Sequence, residues 1–165
     1  MEVVGYKCFN EDLTNNYGKK FAIGQIYIAT GALKFGNNGN GFHMCKNIED
    51  TFRYFCTDEK DICVCEVIGS GNIVEQSDEY NGYYDMYCVQ NLKLMRQLTR
   101  EELIEIGLTL SEYRVKRFIS TLSLTQQEVE LFKKKFKNNI DVLDLIAYYQ
   151  ENDKDVYFRK LKVKQ

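Results

Sequence analysis

The chain has 165 residues with 22 basic and 24 acidic side chains, giving a formal net charge of −2. That length supports one globular unit with a real core and is short for two. The near-balance of charge excludes the strong positive field of a non-specific nucleic-acid binder, and no sequence-specific nucleic-acid partner is expected.

No apolar run approaches the roughly 20 residues that cross a bilayer. The amino terminus Met1-Glu2-Val3-Val4-Gly5 lacks the basic flank and apolar stretch of a signal peptide. A soluble, cytoplasmic protein without a membrane partner is expected. Cys8, Cys45, Cys56, Cys63, Cys65 and Cys88 then read as reduced, mostly buried thiols, because a chain of this size does not need a disulfide scaffold.

The first half reads as short strands broken by turns. Val3 to Phe9 is β-branched and aromatic, and Phe21 to Thr30 holds Ile23, Ile26, Tyr27 and Ile28 around a Gly24 that marks a turn or bulge. Gly36-Asn37-Asn38-Gly39-Asn40-Gly41 follows, a run that readily takes positive φ and reads as a tight or mobile loop. It delivers the chain into Phe42-His43-Met44-Cys45. Asn47 predicts a cap for a helix from Ile48 to about Phe55, with Ile48, Phe52 and Phe55 on one face. Ile62 to Ile68 is a continuous β-rich run ended by Gly69-Ser70-Gly71, and Tyr83 to Met95 alternates loosely as a further strand.

The second half carries three candidate capping boxes, Thr99 to Glu102, Thr109 to Glu112 and Thr125 to Glu128. The helices they open place Leu103 and Ile106, then Val115, Phe118, Ile119 and Leu122, then Val129, Phe132 and Phe136 at helical spacing. A fourth helix is expected from about Ile140 to Tyr149, and the tail Val156 to Val163 is open between helix and strand. The fold class is α+β: a mostly antiparallel sheet with one short packed helix in residues 1–98, then a helical subdomain in residues 99–165 packed on it as a single compact unit. Residues 1–95 carry 8 basic and 13 acidic groups, and residues 96–165 carry 14 and 11. Charge asymmetry of this size, including the run Lys133-Lys134-Lys135-Phe136-Lys137, is the ordinary mark of solvated faces.

His43 is the chain's one histidine and follows a glycine-rich approach, Gly39-Asn40-Gly41-Phe42. Its side chain titrates near neutrality, which suits it to catalysis or ligand binding, and the bland alternative is a histidine hydrogen-bonded at a strand end. His43 and Cys45 are two apart, as are Cys63 and Cys65, so four ligands could in principle hold zinc. Cys-x-Cys on an apolar strand reads more simply as two core residues, and no metal is expected. A cysteine nucleophile paired with His43 is the other chemistry these residues allow. Glu66 interrupts an apolar strand, where an inward carboxylate would be costly, so it either faces solvent or has a site role. Glu75, after Gly71-Asn72-Ile73-Val74, is a weaker candidate of the same kind.

Gly5-Tyr6-Lys7-Cys8-Phe9-Asn10, then Phe21, Gly24 and Tyr27, then Gly41-Phe42-His43-Met44-Cys45-Lys46-Asn47, then Asp50, Tyr54 and Phe55, resemble an uncharacterised domain family of bacterial and phage proteins. Its members look like Tyr-Lys-x-Phe, Gly-x-x-Tyr and Gly-Phe-His-x-Cys-x-Asn, followed by a short helix and a Val-Glu-Val-like strand, here Cys65-Glu66-Val67. The likeness covers roughly residues 5–98 and implies a layout and no activity. On it rests the leading expectation, a non-enzymatic phage- or mobile-element-type module. It would bind a protein or small molecule through Tyr6, Gly41, Phe42 and His43, without a cofactor. A fainter likeness, in the order Tyr6 to Phe9, Gly41 to Cys45 and then Glu66 or Glu75, is to small-toxin ADP-ribosyltransferases. That likeness implies NAD as ligand and His43 and Glu66 as catalytic residues, although Lys7-Cys8 stands where that family has His-Gly.

Overall fold

A computed structural model describes residues 1–35, 39–53, 62–77 and 85–151. Gly36, Asn37, Asn38, Tyr54, Phe55, Cys56, Tyr83 and the tail from Val156 to Val163 lie outside the described residues. Strands and helices segregate along the chain, which makes the fold α+β, as expected. The described chain divides into two compact units at Leu98 and Thr99.

The sheet unit contains β1 (Glu2–Asn10), β2 (Ile26–Ile28), β3 (Phe42–Cys45), β4 (Ile62–Ser77) and β5 (Asp85–Gln97). Their order is β2-β5-β3-β1-β4, and β4 pairs with β5 as well. β1, β3, β5 and β4 therefore close into a ring, with β2 attached to β5. Closure needs a strand that bends, and β4 supplies it through register shifts between Glu66 and Val67 and between Ser70 and Ile73. Gly71, at φ +78°, turns the backbone within the second shift. Gly69-Ser70-Gly71 thus kinks the strand where the sequence suggests its end, and pairing continues to Ser77 opposite Asp85. Phe9, Phe21, Met44, Cys63, Cys65, Val67, Val89, Leu92 and Leu94 form the core of this unit.

Two other elements differ from expectation. Only Ile26–Ile28 of the run from Phe21 to Thr30 is strand, because Gly24 at φ +84° reverses the chain just before it. The segment after Asn47 is a 3₁₀ helix, Ile48–Arg53, with Phe52 fully buried.

The helical unit contains α1 (Arg100–Thr109), α2 (Glu112–Thr121), α3 (Gln126–Lys135) and α4 (Ile140–Glu151). Complete capping boxes open α1 at Thr99 and α3 at Thr125. The third candidate is not one: Ser111 precedes α2, while Thr109 ends α1 and donates its hydroxyl to the Ile106 carbonyl at 2.8 Å. A Thr-x-x-Glu spacing caps only where the threonine stands outside a helix, and here it is the last turn of the one before. Phe118 and Phe132 stack at 5.7 Å between ring centroids, and Gly107 lets α1 approach them. Each fully buried phenylalanine contributes about 1.5–3 kcal/mol. Among the described residues no helix is long and apolar enough to cross a membrane.

Candidate functional site

Gly41 to His43 enters the sheet between two strands. β3 pairs with β5 on one side, His43 opposite Cys88, and with β1 on the other, Tyr6 opposite Cys45. Paired residues share a face, so Tyr6, His43, Cys45 and Cys88 lie on one side of the sheet. Gly41 sits at φ +103°, and a Cβ there would fall 2.7 Å from both Cys88 Sγ and Leu33 Cδ2. The close approach of this entry to β5 therefore requires glycine. Asn40 ties the preceding segment by donating from Nδ2 to the carbonyls of Thr30 and Ala32 at 2.6 and 3.0 Å.

The His43 ring leans on Phe35, centroids 5.2 Å apart. Its Nε2 is shut off from solvent and has no hydrogen-bond partner among the described residues. Lys7, from β1, donates its ammonium to the His43 backbone carbonyl at 2.6 Å. Burial first, and the Lys7 charge second, lower the imidazole pKa below 6.5, so the ring is neutral at pH 7. Burial likewise lowers the Lys7 pKa.

The thiol paired with this imidazole in the register is not an activated one. Cys88, directly across from His43, donates its thiol to the Asn40 carbonyl at 3.2 Å, and burial raises its pKa. A protonated, buried thiol is a poor nucleophile. Cys63 and Cys65 belong to the core cluster on the other side, where Cys63 donates its thiol to the Asn10 carbonyl at 3.2 Å, so they do not converge with His43 and Cys45. Among the described residues no group of three or more His, Cys, Asp or Glu could hold a metal ion. The described cysteines, Cys8, Cys45, Cys63, Cys65 and Cys88, are buried thiols.

Glu66 is not brought to His43. It pairs across the hairpin with Arg96, accepting from Nε at 2.8 Å and from Nη2 at 2.9 Å. Arg96 stands eight positions along β5 from Cys88, the partner of His43. Eight residues of extended strand span roughly 26 Å. Glu75 accepts from Lys46 at 3.1 Å on the exposed surface.

Phe42 is turned away from His43 by strand alternation and packs on the core side. There it meets Phe21 edge-on at 6.4 Å, while Phe21 lies 4.7 Å from Tyr27. Lys19 rests over all three rings. The surface expected around Gly41, Phe42 and His43 is thus two surfaces, a polar one at His43 and an aromatic one at Phe42. Sequence reasoning missed Lys19 and the ring cluster; the only signal was Lys19-Lys20-Phe21 ahead of Tyr27.

Residues 3–106, which take in nearly all of the sheet unit and the start of α1, match the family described as domain of unknown function DUF7666. The chain belongs to this family. The match runs past the expected boundary at residue 98 into the first helix, and the family carries no stated activity. The comparisons with curated proteins and with solved structures gave no match.

Proposed function

We propose that this member of the DUF7666 family is a non-enzymatic intracellular binding module, contacting its ligand through the face of β3 that Gly41 and His43 share, with His43 as polar anchor. One observation carries the reading: Nε2 of His43 is buried and unpartnered among the described residues. Such a group costs about 1–3 kcal/mol, which folding alone gives no reason to retain. A neutral imidazole offers one donor and one acceptor, so the complementary group is an uncharged amide or hydroxyl on a small molecule or peptide. The buried thiols suit a reducing compartment. The transferase alternative has less support, since Glu66 is held by Arg96 at a distant register position.

An amide NMR titration of the reduced chain with a library of small amides and alcohols, and with NAD, tests this, with free nicotinamide assayed in the same tubes. Saturable shifts at Tyr6 and Gly41 to His43, lost in His43→Ala and without nicotinamide release, are expected. Release of nicotinamide, lost in the same variant, would replace binding with catalysis. A complete absence of shifts would remove the His43 reading, and so would a fold more than about 1 kcal/mol less stable in His43→Phe, since that outcome makes His43 a structural residue.

A further inference from the structure

We propose that Phe21, Tyr27 and Phe42 form a cage for a quaternary ammonium group, and that Lys19 occupies this cage in the free protein. Lys19 Nζ lies 5.4 Å from the Phe21 centroid, 5.3 Å from Tyr27 and 5.2 Å from Phe42. One cation stands almost equidistant from three rings, all inside the roughly 6 Å over which a ring face attracts positive charge. Among the described residues no carboxylate pairs with Lys19. Ring faces, rather than an acid, determine where this ammonium rests.

Both halves of the arrangement are built. Tyr27 is fixed through its hydroxyl, which accepts from the Ala22 amide at 2.8 Å and donates to Gln25 Oε1 at 3.1 Å. Phe21 is wedged between Phe9, at 5.1 Å, and Tyr27. Phe42 is set by the β3 register opposite Val89. On the other half, Asn15 Oδ1 accepts from the Lys19 amide at 2.9 Å, and the Lys19 carbonyl accepts from the Asn15 amide at 3.0 Å. Gly18, at φ +79°, permits that reversal. The backbone therefore places the solvent-exposed Lys19 where its side chain can reach the rings.

Ligand class follows from what the cage offers. Ring faces attract charge but accept no strong hydrogen bond, so a primary ammonium keeps its N–H groups for water. A quaternary ammonium has no N–H to satisfy and more apolar surface to bury. Lysine is the poorer fit, and it acts as an internal competitor that rests over the three rings until a better cation arrives. Because Phe42 and His43 point to opposite sides of β3, this site and the His43 site fail separately.

The test is a titration of the reduced full chain with choline, read from the ring signals of Phe21, Tyr27 and Phe42. Its uncharged isostere, with carbon in place of nitrogen, is the control. Lys19→Ala should bind choline about tenfold more tightly than the wild type, since the competitor is gone. Adding Tyr27→Leu should abolish binding, and His43→Ala should change nothing. In the wild type the Lys19 ε-methylene signals should start upfield, under the three ring currents, and move back as choline displaces them. That displacement decides the matter alone if Lys19→Ala does not fold. Absence of ring shifts, equal binding of the isostere, equal affinities with and without Lys19, or Lys19 signals at ordinary positions would each overturn the proposal.

Discussion

Lys7 donates its ammonium to the backbone carbonyl of His43 at 2.6 Å, so a part-buried cation is fixed against the strand whose imidazole Nε2 has no hydrogen-bond partner among the described residues. The Lys7 charge and the burial of the ring act in the same direction on His43, with burial the larger cause. Lys7→Met should therefore raise the His43 pKa without returning it to its ordinary value. An NMR titration of the imidazole protons in the two proteins measures this, and an unchanged pKa would mean that the ammonium is too well solvated to matter.

The same depression makes folding pH-dependent. The unfolded chain takes up a proton on His43 at a higher pH than the folded one does. The contribution is fully present above the unfolded value near 6.5, and is lost as pH falls toward the lower folded value. Urea midpoints should drop between about pH 7.5 and about pH 5, and His43→Gln should flatten that drop.

Glu66 and Arg96 form a two-pronged but largely exposed pair, with side-chain exposures of 33% and 45%. Exposed pairs are worth about 0–1 kcal/mol. A double-mutant cycle on Glu66→Gln and Arg96→Gln should give a coupling in that range, and Glu66→Gln should leave ligand binding at β3 intact. Loss of binding in Glu66→Gln would instead tie the carboxylate to the site.

Glu128 closes the capping box of α3 and also accepts from Arg100 Nε at 2.8 Å. The Arg100 hydrogen bond is the main cause that holds its carboxyl below the usual range. This stability is present above the unfolded glutamate pKa and is lost as pH falls through the folded one. Thr125→Ala and Thr99→Ala should each cost about 1 kcal/mol, whereas Thr109→Ala should be close to neutral. Thermal melts followed by circular dichroism separate these outcomes.

A methyl group at Gly107 would lie 2.5 and 2.7 Å from Phe118 ring carbons and 2.8 Å from Phe132. Gly107→Ala should destabilise the helical unit by about 1–3 kcal/mol through overpacking, despite the better helix propensity of alanine. A gain in melting temperature would show that the two rings yield.

Local chemistry fixed much of this protein in advance. Thr99 and Thr125 with their partner glutamates mark helix starts because a capping box is complete within four residues. The β-branched and aromatic run of β1 and the continuous β-rich run of β4 mark strands because strand propensity is also local. Thr109 misled for the same reason: its spacing is right, and only its place inside α1 cancels it. Ring closure through β4, the pairing of His43 with Cys88 and the capture of Glu66 by Arg96 depend on register between distant segments, which the order of residues does not carry. Lys19 illustrates the limit best. Its charge and its neighbours were plain in the sequence, yet three rings from separate parts of the chain had to meet before one ammonium could rest on all of them.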